Sequence, residues 1–158
     1  MTQAKRVSIV SLKMVKEGSV LYRERKIRTP SDAVHLFRQF LGEDLPDREV
    51  FMVMCLDSKN CPNLLETASM GSLNAAIVHP RDVLKLAVLS NSAAIIVAHN
   101  HPSGDPEPSR EDIEVTRRLA DAGRVLGIEL LDSVVIGQDD RYVSLKERGI
   151  IGNTYPGK

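Results

Sequence analysis

Two stretches of this chain, residues 49–56 (EVFMVMCL) and 93–98 (AAIIVA), are apolar on both parities of an extended strand. Successive strand residues point to opposite faces, so such a strand must be covered on both sides. That requirement excludes a helical bundle and a sheet with one wet face. It calls for helices above and below a sheet, and the rest of the sequence supplies them. Thr29-Pro30-Ser31-Asp32 has the order of an N-cap, a first-turn proline and a capping-box acid. Val34, Phe37, Phe40 and Leu41 follow on one helical stripe, His35 falls off it, and Gly42 ends it. Pro80 begins a second helix to about Leu89, with Val83, Leu84, Ala87 and Val88 as its core stripe. A third runs from Ser109 to about Leu126, with Ile113, Thr116 and Ala120 along one face and Gly123 or Gly127 ending it. Asp57-Ser58-Lys59-Asn60 reads as a turn, and strands are expected over 63–70, 128–136 and 141–144. The fold class is α/β, a sheet flanked by helices.

At 158 residues the chain is the size of one domain, and its 42% hydrophobic content can offset chain entropy. No apolar run reaches the ~18 residues of a membrane span, and residues 1–18 lack the pattern of a secretory signal. Cys55 and Cys61 make no disulfide framework. Cys55, inside a doubly apolar strand, reads as a buried small hydrophobe, and Cys61 sits among turn residues. A reduced, cytoplasmic protein with no membrane partner is the expectation. The formal net charge is zero, yet residues 1–30 hold eight basic side chains and two acids. Residues 1–28 therefore read as a basic arm, with 7–12 and 19–22 β-prone enough for a small hairpin. An arm of this kind is a solvated extension first. Weak contact with nucleic acid is its second reading, since no aromatic platform accompanies the charge.

The chemistry concentrates in residues 99–112, HNHPSGDPEPSRED. His99 and His101 stand at the end of an apolar strand, where i and i+2 share a face ~7 Å apart. Pro102, Pro106 and Pro108 stiffen the loop that follows, which can bring Asp112 at the next helix start to the same point. Two imidazoles and a carboxylate suit one zinc ion per chain, with a fourth position left open. Ser109-Arg110-Glu111-Asp112 is also an ordinary capping box. The two duties are compatible, because capping uses an acceptor lone pair of Ser109 and leaves its hydroxyl proton to donate.

His99-x-His101 with Ser109 and Asp112 at these spacings resembles the JAMM motif of the MPN-domain metalloproteases. The longer string HNHPSGDPEPSREDIEVT is similar to the RadC branch of that superfamily. Residues 49–60, Gly71-Ser72-Leu73-Asn74 and 78–83 (VHPRDV) agree with it. The likeness covers roughly residues 29–151, leaving 152–158 as a tail. It implies a cytidine-deaminase-like α/β fold with a mixed sheet. It also implies zinc on His99, His101 and Asp112, an oxyanion contact from Ser109, and a glutamate proton shuttle falling on Glu49. The residues themselves do not single out Glu49 from Glu43, Asp44, Asp47 or Glu66. The implied reaction is hydrolysis of a peptide or isopeptide bond in a protein or peptide substrate, ubiquitin-like proteins included. The alternative is a DNA-repair or mobile-element binding module with a non-catalytic metal site. Asp132-Ser133 departs from the Asp-His pair usual in the family, a change expected at most to weaken a hydrogen bond beyond the ligands. His79 matches a family position and reads as a polar group at a strand-to-helix junction. The deaminase signature H-x-E…P-C-x-x-C is absent, so the fold kinship does not imply deamination.

Overall fold

The computed structural model describes residues 1–71 and 78–152. Among these residues three helices, α1 (Pro30–Leu41), α2 (Pro80–Leu89) and α3 (Arg110–Leu126), accompany five strands: β1 (Val50–Leu56), β2 (Pro62–Met70), β3 (Ala94–Asn100), β4 (Glu129–Ile136) and β5 (Tyr142–Ser144). The strands form one sheet in the order β2-β1-β3-β4-β5. β1 is antiparallel to both β2 and β3, β3 is parallel to β4, and β4 is antiparallel to β5, so the sheet is mixed. All seven residues of β1 and of β3 are buried, as strands without a polar parity require.

The two faces carry separate cores. On one, Phe37, Val34 and Leu36 of α1 pack on Met52, Met54, Ile96, Ala98 and Val134. On the other, Val83, Leu84 and Ala87 of α2 and Val115 and Leu119 of α3 pack on Phe51, Val53, Ile95 and Val97. Burying one such side chain is worth about 1.5–3 kcal/mol relative to leaving it exposed. His35 is exposed and Cys55 is fully buried, its thiol pushed up to about 11 by that burial. The Asp57 turn forms, its Oδ1 accepting from the amides of Lys59 and Cys61.

Three expectations are corrected. Val88 is 51% exposed. At 100° per residue it lies roughly 90° from the centre of the Val83, Leu84, Ala87 stripe. The inward face of α3 is Asp112, Val115, Thr116, Leu119 and Gly123, and Ile113 is turned to the half-buried flank. Gly123 sets that phase, because a Cβ there would meet the Ile128 carbonyl oxygen at 2.3 Å. No hairpin forms in the arm: no helix or strand precedes Pro30, and residues 1–21 are exposed. The chain joins the body at Tyr22, which packs on the α1-side core, and at buried Ile27, whose amide donates to Asn60 O at 2.9 Å. Ser72, Leu73 and Asn74 lie outside the described residues, as does the tail beyond Gly152. Among the described residues no helix is long and apolar enough to cross a membrane.

Candidate metal centre

The end of β3 carries the centre. Strand alternation sends Ile95, Val97 and His99 toward α2 and α3, and Ala94, Ile96 and Ala98 toward α1. His101 continues the first series just beyond the strand. Its amide donates to Ile136 O at 3.0 Å, so the chain here leans on β4. The loop then folds back. Gly104, at φ +87°, offers its carbonyl to the Gln138 amide at 2.8 Å and to the Arg141 guanidinium at 2.7 Å. Gly137 lets that carbonyl approach, since a Cβ there would stand 2.5 Å from it. Helix α3 starts at the end of this loop. Ser109 Oγ accepts from the Asp112 amide at 3.1 Å, and Asp112 Oδ2 accepts from the Ser109 amide at 2.8 Å.

The same aspartate faces both histidines. Asp112 Oδ1 is 3.1 Å from His99 Nε2, Asp112 Oδ2 is 3.1 Å from His101 Nε2, and the two Nε2 atoms are 3.2 Å apart. One ligand atom from each residue lies within 4.8 Å of the others. Donors about 2.0–2.1 Å from a tetrahedral zinc stand about 3.3–3.4 Å from one another, so the spacing fits one ion on this N,N,O set. The tautomer of His101 also fits. Its Nδ1 is 2.8 Å from the Asp105 carbonyl, which only accepts, so Nδ1 keeps a proton and Nε2 is the nitrogen that shares a proton with Asp112 in the metal-free protein and, once deprotonated, is free to ligate. His99 is 2% exposed and stacks on Phe51 with ring centroids 6.0 Å apart.

The electrostatics follow from this packing. Burial alone would push the Asp112 carboxyl up, but hydrogen bonds from His101, His99 and the Ser109 amide outweigh it and hold the group well below the usual carboxylate range. His101 is raised, first by its hydrogen bond to Asp112, with burial opposing. A smaller contribution to that rise comes from the Glu49 carboxylate.

Glu49 sits immediately before β1, half-buried, with its carbonyl accepting from the Gly71 amide at 2.8 Å. Phe51 pairs with His99 across the antiparallel ladder. Continued two residues past that pair, the register would set Glu49 across from His101, and the Glu49 carboxylate is near enough to contribute to raising that imidazole. Ser109 is exposed beside Asp112, at the mouth of the centre. Of the other carboxylates weighed, Glu43, Asp44 and Asp47 lie on the exposed or half-buried approach to β1, and Glu66 lies on β2 opposite Val53. His79 is the N-cap residue of α2, with no side-chain cap bond. Ser133 pairs with Val97, two positions before His99, and accepts from the Thr116 hydroxyl at 3.0 Å, so its hydrogen bond runs to α3 rather than to His99, His101 or Asp112. Asn100 went unmarked by sequence reasoning. It is fully buried, and its side chain reaches residues 46–50. A polar residue on the apolar parity of a buried strand was the available signal.

Residues 27–150 match the family described as RadC-like JAB domain. A UPF0758 protein of Desulfitobacterium hafniense is 54% identical over 125 residues, covering 79% of this chain and 54% of the relative. A UPF0758 protein of Methanosarcina barkeri is 48% identical over 128 residues, covering 81% and 55%. One from Syntrophomonas wolfei is 48% identical over 136 residues, covering 85% and 57%. The chain thus spans about half the length of these relatives.

Proposed function

The chain belongs to the RadC family, and from that premise we propose that it is a zinc-dependent hydrolase of peptide or isopeptide bonds. The observation that carries this reading is the convergence of His99, His101 and Asp112 at ligand spacing, with Glu49 and Ser109 beside them. Zinc on these three ligands would supply a Lewis acid that acidifies water and polarises a carbonyl. The remaining work belongs to the chain. Glu49 takes a proton from the attacking water and returns it to the leaving amine. The Ser109 hydroxyl, whose oxygen already accepts from the Asp112 amide, donates its hydrogen to the developing oxyanion. The Asp105 carbonyl keeps the His101 ring in its ligating tautomer. The substrate is a protein or peptide, with ubiquitin-like conjugates within the class. A second reading, nucleic-acid contact, rests on the exposed basic arm and would be weak, sequence-independent and steeply salt-dependent.

The test is terminal-amine profiling of a protein extract incubated with zinc-loaded protein. New termini, or freed lysine side chains, should appear with the parent. They should disappear with a chelator and with Glu49→Gln. An identical pattern in all three samples would remove the hydrolase reading.

A further inference from the structure

We propose that Asn100 is a positioning residue, whose buried carboxamide ties the segment carrying Glu49 to the strand carrying both histidines. The inference rests on the proton-shuttle reading of Glu49. Asn100 lies on β3 between His99 and His101 but faces the α1 side, in the series of Ala94, Ile96 and Ala98. An apolar residue would continue that series. A carboxamide is costly there unless it is paired, and this one is. Its Oδ1 accepts from the Val50 amide at 2.8 Å, and its Nδ2 donates to Arg48 O at 2.9 Å and Pro46 O at 3.3 Å. Three of its four hydrogen-bonding positions are thereby used, all on backbone some fifty residues away.

The backbone reason is local. The β1–β3 ladder pairs residues only as far as Phe51 with His99. The His101 amide points to Ile136 on β4 and so offers residues 46–49 no bond. Residues 46–49 arrive without a ladder partner on β3, and the Asn100 side chain serves as one. It grips the peptide groups on either side of Glu49, whose own carbonyl is held by the Gly71 amide. The backbone at Glu49 is thus held beside the end of β3 by bonds that do not involve its carboxylate. One residue sets the register between the ligand strand and the shuttle without touching either reacting group.

The experiment uses cobalt(II) as the probe, because its visible d–d bands respond to the donors and groups around the ion. The full chain is loaded with cobalt and compared at one pH with Glu49→Gln, Asn100→Ala and the double variant. Asn100→Ala should keep one cobalt per chain and show faster hydrogen exchange at the Val50 amide. Its bands should shift as those of Glu49→Gln do, and the double variant should add no further shift. Parental bands in Asn100→Ala, with shifted bands in Glu49→Gln, would overturn the positioning role alone. Loss of cobalt from Asn100→Ala would overturn it too, by making Asn100 a support of the ligands. Unshifted bands in Glu49→Gln would instead remove the shuttle reading, and this inference with it. Should Asn100→Ala fail to fold, Asn100→Asp decides the same way, since it keeps the acceptor for Val50 and loses the donors to Pro46 and Arg48.

Discussion

Helices α1 and α3 each open on a hydroxyl residue followed three positions later by aspartate, and in each the reciprocal pair of cap bonds is closed. On α1, Thr29 Oγ1 accepts from the Asp32 amide at 3.2 Å, and Asp32 Oδ2 accepts from the Thr29 amide at 3.1 Å. On α3 the corresponding distances for Ser109 and Asp112 are 3.1 and 2.8 Å. The boxes diverge in what stands opposite. Asp32 is half-exposed and spends its remaining capacity on the Arg28 amide at 2.8 Å. Asp112 is buried at 4% exposure, and the end of β3 presents two imidazoles to it. A capping box leaves a carboxylate with acceptor positions to spare. Whether they become ligand positions depends on the topology, which brings the β3 end to α3 and, among the described residues, no comparable cluster to α1.

The two boxes should differ most in catalysis. Glu49→Gln should lower hydrolysis by about 10²–10⁴-fold, the usual worth of a general acid–base group. Ser109→Ala should lower it by about 10²–10³-fold, the worth of one oxyanion donor. Thr29→Ala, the same change in the other box, should leave the rate at the parental value. The check is a steady-state assay on any bond that profiling identifies. Equal losses from Ser109→Ala and Thr29→Ala would mean that both act only as caps.

A smaller effect separates the two aspartates by pH. In the metal-free protein, the stability that His101 gains from Asp112 is complete below the ordinary imidazole value of ~6.5. It is lost as pH rises through the raised folded value. The Asp112 contribution is present above ~3.9 and lost as pH falls through its lowered folded value. Chelated protein should therefore show a Tm that declines as pH rises above ~6.5. Asp112→Asn should flatten that decline, and Asp32→Asn should leave it intact. Added zinc should reverse the trend, because the proton and the metal compete for His101. Thermal scans with and without chelator at several pH values read all of this.

The smallest expected effect is in folding itself. Thr29→Ala should cost about 0.5–2 kcal/mol, the usual worth of an N-cap hydroxyl, with zinc affinity unchanged. Ser109→Ala should cost a similar amount in the chelated protein, and denaturant titration measures both. A much larger loss for Ser109 would assign its cap a tertiary role that the α1 cap lacks.

Both boxes were visible in the sequence for the same reason: capping is a four-residue affair, and Thr29 to Asp32 spells it as plainly as Ser109 to Asp112. β1 and β3 were equally plain, since unbroken apolar parity has one comfortable location. His99 and His101 could be matched with Asp112 because a stiff loop, residues 102–109, leads straight from them into the helix start that carries it. Positions set by distant contacts were less legible. The rotation of α3 that moves Ile113 aside depends on Gly123 meeting the Ile128 carbonyl, across the helix end. The bonds of Asn100 reach back to residues 46–50, and no local pattern announces a side chain serving as a ladder partner. Glu49 comes near the histidines only through the pairing of β1 with β3, so composition and spacing left it level with Glu43, Asp44, Asp47 and Glu66.

Zinc content of the purified protein, measured by plasma mass spectrometry on the parent, Asp32→Asn and Asp112→Asn, bears most directly on the metal centre. Asparagine keeps one oxygen as a cap acceptor at either position, while it removes the charge and turns the other oxygen into an NH2 donor. A metal centre built on His99, His101 and Asp112 should give about one zinc per chain in the parent and in Asp32→Asn, and little or none in Asp112→Asn. Full zinc in Asp112→Asn, or a parent that takes up no zinc when it is supplied, would contradict it.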